Sequence, residues 1–369
     1  VKTGLSAARS VLRRTLMVLA LAASAVPAQE RPRYYFFRPE NTFGSDAQFG
    51  PVSLFLNGAY DMLRNGGHHK KFLAWNYSGD GAHVWRNLRA PIANIRAFGV
   101  REFFDQEIFN FTIGRRHAEF LPNIADHAIG NGMEYAKLAE YFDHHGVPLP
   151  YLWSGLTTTS YQVVNEIIEA DGYRGVNVDL IADIYLFNTA GIVLFSTEWG
   201  KRFFSETVPV YNWPGQPVIE PATGFLQNAG QQYFVRRRFD ALGRWSPIFY
   251  WGVYVLPGVS YDLDGENTLT VGVGRVVNKL KDGRLRGFRK IDPQLDGAAG
   301  FFWDRNNSLL LSVLGTGPGL YNVQVNLYPG VADLWGFSPG VYVAYGEWDK
   351  FILGVTVSAL PAGLGFGKR

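Results

Sequence analysis

The residues whose types and spacing could do chemistry lie between positions 127 and 188. His127 sits in Asn123-Ile124-Ala125-Asp126-His127-Ala128-Ile129-Gly130, at the entrance to an apolar segment. Glu166 and Glu169 are three apart, and Asp179 and Asp183 are four apart, so each pair shares one face of a helix. Asp183 interrupts the apolar run Leu180–Asn188. An ionised carboxylate in a dry environment costs several kcal/mol unless paired or hydrogen-bonded. These four acids therefore require partners, and His127, Arg174, Asn188 and Tyr135 are the candidates at hand. Such a cluster has two readings. In an acid/base site, His127, Glu166, Asp179 and Asp183 are the catalytic candidates, with Tyr135, Glu169 and Asn188 as binding candidates. In a satisfied polar network, the same residues fix how three helices pack.

Other polar motifs carry less. All seven histidines fall between His68 and His145, and no pair has the His-Glu-x-x-His spacing of a zinc protease. His68-His69 and His144-His145 are doublets beside glycine and charge, which reads as solvated loop. Asp262-Leu263-Asp264-Gly265 begins like a calcium loop but lacks the closing glutamate, so it reads as a hairpin turn. Gly315-Thr316-Gly317-Pro318-Gly319 has no following lysine, and Ser154, Ser160 and Ser196 lack a nucleophile-elbow context. No metal-ligand set and no cofactor follows from these residues. The chain has no cysteine, which excludes disulfides, cysteine nucleophiles and a lipoprotein anchor.

The ordered positions His127, Gly130, Tyr135, Glu166, Asp179-Leu180-Ile181, Gly191 and Glu198 resemble the uncharacterised bacterial family known as domain of unknown function 3943. In that pattern a histidine begins one helix, a glutamate lies in the next, and an aspartate with apolar residues and a glycine opens the third. The resemblance spans residues of about 125–200 and departs at Ala128, where the family has proline, and at Asn165, where it has tryptophan. It selects positions and implies no reaction.

Three helices must position these residues: Gly130–Tyr141, Thr159–Ala170 with hydroxyl caps from Leu156–Ser160, and Val178–Phe195. Before them, residues 29–125 read as mixed. Pro51–Leu63 has helical spacing, while Arg33–Phe37, Lys71–Tyr77 and Ile95–Phe111 are candidate strands. After them, residues 201–369 read as strands near Gln231–Phe239, Pro247–Val255, Thr268–Val277, Gly297–Trp303, Ser308–Leu314, Leu320–Tyr328, Pro339–Glu347 and Phe351–Ser358. Asp262–Gly265, Lys281-Asp282-Gly283 and Asp304–Asn307 supply turn chemistry between them. In Leu320–Tyr328, Tyr321, Val323, Val325 and Leu327 alternate with Asn322, Gln324 and Asn326. One apolar face and one polar face suit a strand between lipid and a wet lumen.

The leader points the same way. Lys2, Arg9, Arg13 and Arg14 precede a short apolar core, Leu16–Ala25, and Val26-Pro27-Ala28 ends it as a signal-peptidase site would. Removing residues 1–28 takes four basic residues, so the formal charge of +3 becomes +3 − 4 = −1, which offers nucleic acid no electrostatic footprint. No uncharged apolar stretch reaches the length of a spanning helix. An aromatic content of 15% matches the interface girdles of membrane barrels.

The expected fold is mainly β with a helical module: a membrane β-barrel of about 8–12 antiparallel strands with three helices before it. The expected setting is the bacterial outer membrane, with membrane lipid as partner. The expected role is structural, or the binding and passage of an apolar, envelope-derived ligand. The alternatives are an envelope lipid-modifying enzyme using the His127 cluster and a soluble periplasmic β-rich binding protein.

Overall fold

A computed structural model describes residues 34–61, 71–111, 124–285, 288–316, 321–346, 350–358 and 360–368. The leader at 1–28, His68, His69, His117 and most of the 315–319 glycine cluster lie outside the described residues.

Helices come first in the chain and strands follow. The helices are α1 (Gly44–Ala47), α2 (Pro51–Ala59), α3 (Tyr77–Leu88), α4 (Pro91–Phe98), α5 (Val100–Phe103), α6 (Asn131–His144), α7 (Pro150–Ala170), α8 (Asp179–Ile181), α9 (Asn188–Ser196) and α10 (Glu198–Arg202). Wider π turns extend several of them: Asp126–Gly130 leads into α6, and Ala182–Phe187 joins α8 to α9. The segments expected as strands at Lys71–Tyr77 and Ile95–Phe111 are helical turns and short helices instead. Tyr34–Phe37 forms no strand either. The N–H groups of Tyr35, Phe36 and Phe37 all donate to the Glu140 carboxylate, at 2.8–2.9 Å, so the segment is satisfied by a side chain rather than by a ladder. The hydroxyl run does not cap α7, which starts nine residues earlier on Pro150. Thr157 and Thr158 lie inside the helix and donate back to the carbonyls of Trp153 and Ser154.

Helix α6 is the hub. Its residues from Asn131 to Glu140 are all buried, three charges among them. Each charge ties down a different neighbour. Glu140 holds the 35–37 segment, Lys137 Nζ lies 2.7 Å from Asp46 Oδ1 of α1, and Glu134 accepts from the strands. At Gly132 and Gly191 the backbones of α6 and α9 nearly touch. A Cβ on Gly191 would stand 2.5 Å from the Ala128 carbonyl oxygen, and one on Gly132 would stand 3.0 Å from Gly191 Cα.

The strands form one 13-stranded sheet. They are β1 (Val210–Asn212), β2 (Val218–Glu220), β3 (Phe225–Gln227), β4 (Gln232–Arg236), β5 (Trp245–Gly252), β6 (Tyr254–Asp262), β7 (Asn267–Leu285), β8 (Phe288–Arg305), β9 (Ser308–Thr316), β10 (Val323–Leu327), β11 (Pro339–Tyr345), β12 (Phe351–Val357) and β13 (Gly363–Lys368). The spatial order is β1-β4-β5-β6-β7-β8-β9-β10-β11-β12-β13-β2-β3, and every pair is antiparallel except β13 with β2. All eight expected strands appear, with shifted ends. Strands β1, β2, β3, β6 and β13 are additional, and they come from beyond residue 200 rather than from the N-terminal zone. Lys281-Asp282-Gly283 is no turn: it continues β7, paired with β8 residues Asp292, Ile291 and Lys290. The other two turns stand where expected. Asn306 and Asn307 take left-handed φ of 50° and 62°, and Asp262 and Asp264 accept from the N–H groups of Gly265 and Asn267.

Register separates the sheet into two faces. On one, Ser246, Ser260, Thr270, Phe302, Ser312, Asn326, Tyr342, Gly354 and Gly365 are directly paired across nine consecutive strands, and all are buried. On the other, Pro247, Val259, Val271, Phe301, Val313, Val325, Val343, Leu353 and Phe366 are paired in the same way, and none is buried. The Thr270 face is filled. Trp213 stacks on Phe234 with ring centroids 3.7 Å apart, beside Tyr250, Leu256 and Phe302. Arg236 forks onto Asp304, its second bond being 3.0 Å, and also reaches Ser260.

The helices pack on the Val271 face at β1 to β5, and Phe98 of α4 also meets Phe288 of β8, with ring centroids 5.4 Å apart. At β1 to β5, Val210, Tyr233 and Trp251 pack with Phe36, Met133 and Phe195, while Leu226 and Ala229 pack with Leu54 and Tyr161. At one end of the sheet, α1 meets the strand turns. The Gly44 N–H donates to the Pro329 carbonyl, the Leu309 N–H to Ser45 Oγ, and Gln48 Nε2 to Thr356 Oγ1. A Cβ on Gly44, whose φ is +69°, would lie 2.4 Å from Ser308 Oγ.

Candidate functional site

The two π turns face each other beneath α7 and bring His127 to Asp183. A π turn widens the helix by one residue and re-aims the side chains on it, and here it turns a histidine and an aspartate inward from adjoining helices. His127 Nε2 lies 3.8 Å from Asp183 Oδ2, beyond hydrogen-bonding distance. His127 Nδ1 faces Asn131 Nδ2 at 3.4 Å. Burial pushes the imidazole down to about 4, so the ring is neutral at pH 7 and a weak base.

Glu166, on α7, meets Asp183 carboxyl to carboxyl. Both are buried. Burial drives each well above the usual carboxylate range, and the nearby charge of Asp179 drives them further; on Glu166 the contact with Asp183 acts the other way. Glu166 Oε2 and Asp183 Oδ1 have no hydrogen-bond partner. Two carboxyls in contact in a dry site cannot both ionise, so the pair retains a proton. Asp179 and Glu169 are partly buried at its margin. Four of the expected residues, His127, Glu166, Asp179 and Asp183, therefore come together, with Glu169 close enough for its charge to act on Asp183.

The remaining candidates lie elsewhere. Asn188 donates to Thr159 Oγ1 at 3.3 Å, and Tyr135 accepts from Ser196 Oγ at 3.2 Å on another side of α6. Arg174 pairs with Asp80 at 2.6 Å rather than with the acids.

A second buried network escapes a reading of the sequence. Glu134, fully buried on α6, accepts from Asn212 Nδ2 of β1 at 2.6 Å and from Gln231 Nε2, and lies 2.9 Å from the Tyr161 hydroxyl. Burial pushes its carboxyl up to about 8, outweighing the opposite pull of Tyr161 and of the Lys137 charge. The Tyr161 hydroxyl is also 2.7 Å from Asn131 Oδ1. Tyr161 and Asn131 thus run from Glu134 to His127, which faces Asp183 without a hydrogen bond to it. Nothing in the local sequence marks Glu134, because its partners are 27 to 97 residues away.

Among the described residues no group of three or more His, Asp or Glu could hold a metal ion. Burial holds the paired acids towards their neutral form, the histidine is neutral, and the core of the cluster is buried. That arrangement joins helices to one another, with His127, Glu169 and Asp179 as its partly exposed members. No protein-family model, curated protein or solved structure matches the chain.

Proposed function

We propose that the chain is an outer-membrane β-barrel protein whose helical module braces one side of the barrel wall, and that its role is structural or lies in contact with envelope lipid. The observation that carries this reading is the row from Pro247 to Phe366: nine apolar side chains, one per strand, on the face left open, opposite a buried face that holds serine, threonine and asparagine. In water this distribution is inverted, since contiguous exposed apolar surface marks a place of contact; in a bilayer it is the expected one.

Closure of the sheet is the finer part of the proposal, and the registers support it. In both β1–β4 and β2–β3 the paired residue numbers add to 445, as in Val210↔Val235 and Ile219↔Leu226. Between them the Trp213 N–H donates to Gln232 and the Gly215 N–H to Gly230, in the same register. Residues 210–220 and 225–236 are then the two arms of one hairpin. One arm pairs with β5 and the other with β13, pairings that support a ring of eleven strands. Followed from Val210 strand by strand, with the step from Pro257 to Val273 taken at the register that holds on either side of it, the row reaches Lys368. The parallel register of β13 sets Lys368 opposite Thr223, a stagger of 223 − 210 = 13 residues. That stagger over eleven strands corresponds to a tilt of about 40°, inside the range of closed barrels. The aromatic filling of the Thr270 face speaks for a structural or surface role rather than passage through the interior.

Fractionation with heat-modifiable gel migration tests the proposal. Recovery in outer membranes, with the unheated protein running as a compact folded form, is the expected result. Recovery of folded protein in the soluble periplasm overturns it. The resemblance to the domain of unknown function 3943 remains part of the proposal and adds no activity.

A further inference from the structure

The connection between β10 and β11 ends in a turn that no packing among the described residues accounts for. Leu334 and Phe337 form a small bridge, with the Leu334 N–H donating to the Phe337 carbonyl at 2.8 Å and the return bond at 3.2 Å. Trp335 and Gly336 form the tip with φ of 57° and 83°, and the Gly336 N–H donates to Asp333 Oδ1 at 2.7 Å. The base of the loop is pinned as well. The Gly330 N–H donates to Ser338 Oγ, the Ser338 hydroxyl donates to the Ala332 carbonyl, and Gly330 packs on Phe43. This ordered frame holds out three large apolar side chains: Leu334 is 52%, Phe337 51% and Trp335 100% exposed.

The turn does not stand alone. Phe239, Leu242, Trp245, Leu263 and Leu360 are also exposed, and each lies in or beside a turn at the same end of the strands. The strands leaving the turn carry Val343 and Val325 of the open apolar row. Trp and Tyr concentrate where hydrocarbon meets headgroup, because each ring is apolar and its N–H or O–H is polar, and Trp335 and Trp245 are exposed residues of that kind at this rim.

We infer that the Leu334-Trp335-Gly336-Phe337 turn is a bilayer anchor, seated in the headgroup region at one rim of the strands, and that its occupant is phospholipid. The inference rests on the barrel reading, and its test separates the two.

The chain has no cysteine, so single-cysteine variants label uniquely. Trp335→Cys and, as a second position in the same turn, Phe337→Cys are labelled with an environment-sensitive fluorophore in the full-length protein. Val271→Cys reports the middle of the apolar row. In vesicles of phosphatidylethanolamine and phosphatidylglycerol, the turn labels should shift to the blue. Iodide should quench them at least about twofold less than in urea, and lipid spin-labelled near the headgroup should quench them more than lipid labelled deep in the chain. Val271→Cys should show the reverse depth preference. Water-exposed turn labels beside a lipid-quenched Val271 label overturn the anchor alone; a water-exposed Val271 label overturns the barrel reading with it. Protection that rises with protein density at fixed lipid assigns the turn to a second copy of the chain and also overturns the anchor.

Discussion

At the residue scale, the buried acids differ in what they tolerate. Burial raises Asp183 and Glu166 towards the neutral form, so a neutral amide reproduces the charge state that the site already favours. Asp183→Asn should leave thermal stability in detergent within about 1 kcal/mol of the parent, whereas Asp183→Ala, which leaves a void and unpaired neighbours, should cost roughly 2–4 kcal/mol. A catalytic role would reverse the emphasis, because the amide would then keep abundance and lose function. Glu134 gives a pH signature. Its carboxyl is raised to about 8 in the fold, against the ordinary carboxylate value near 4.5. The native state therefore holds a proton that the unfolded chain releases. This contribution to stability is complete below about pH 4.5 and is lost as pH rises through about 8. Glu134→Gln should flatten the fall in melting temperature across that window, at a cost of about 1–3 kcal/mol for disturbing its donors. His127 acts at the other end. Its depressed value means that stability is present above the ordinary histidine range and falls as pH drops from about 6.5 towards about 4.

At the element scale, the helical module depends on close backbone contact. Gly191→Val would drive a side chain into the Ala128 carbonyl and force α6 from α9, with an expected loss of at least about 3 kcal/mol. Gly146→Ala, at a glycine with open space around it but a φ of +70°, should cost only about 1 kcal/mol from backbone strain; the two melting curves compare contact with conformation. The same elements show what the sequence carries. Strands such as β9 and β10 were legible because alternation at period two survives when one face is buried and the other is not. Strand β6 was hidden by Pro257-Gly258, which reads as a turn, and β1 to β3 are too short to show any period. The segments 71–77 and 95–111 misled for the opposite reason: a three-residue helical turn, helical stretches of four residues and a π turn are too short to show a 3.6-residue stripe, and their aromatics resemble strand composition. Asp183 and His127 stood out as polar residues in apolar runs. Glu134, Lys137 and Glu140 did not, since charges three apart on a helix resemble a solvated face until the partners that bury them are in place.

At the scale of the whole molecule, the question is what joins β13 to the hairpin arm that carries β2. Most neighbouring strands share five or more paired residues, but β13 meets β2 over only Gly363↔Val218 and Leu364↔Ile219. One further backbone bond, from the Gly363 N–H to the Pro217 carbonyl, lies beside them. The seam is thin, and its inner side is close-packed: Val218 presses on Gly354 and Gly365, where a Cβ would stand 2.7 Å and 2.4 Å from its methyl groups. The fold thus places its only parallel contact among described strands where glycine lets the hairpin arm lie flat against the wall. If the ring is closed, the Ile219→Cys/Leu364→Cys double variant should oxidise to a single intramolecular disulfide, because neighbouring strands bring Cα atoms within the reach of that bond. The disulfide should raise the melting temperature in detergent by constraining the unfolded chain. A control pair displaced along β13, Ile219→Cys with Phe366→Cys, should link much less. Equal linkage of both pairs, or none in the folded protein, would mean that the two edges do not meet. A closed wall with its apolar side outward and a helical brace over one sector is a different object from a two-sheet sandwich, which has no seam at this place to lock.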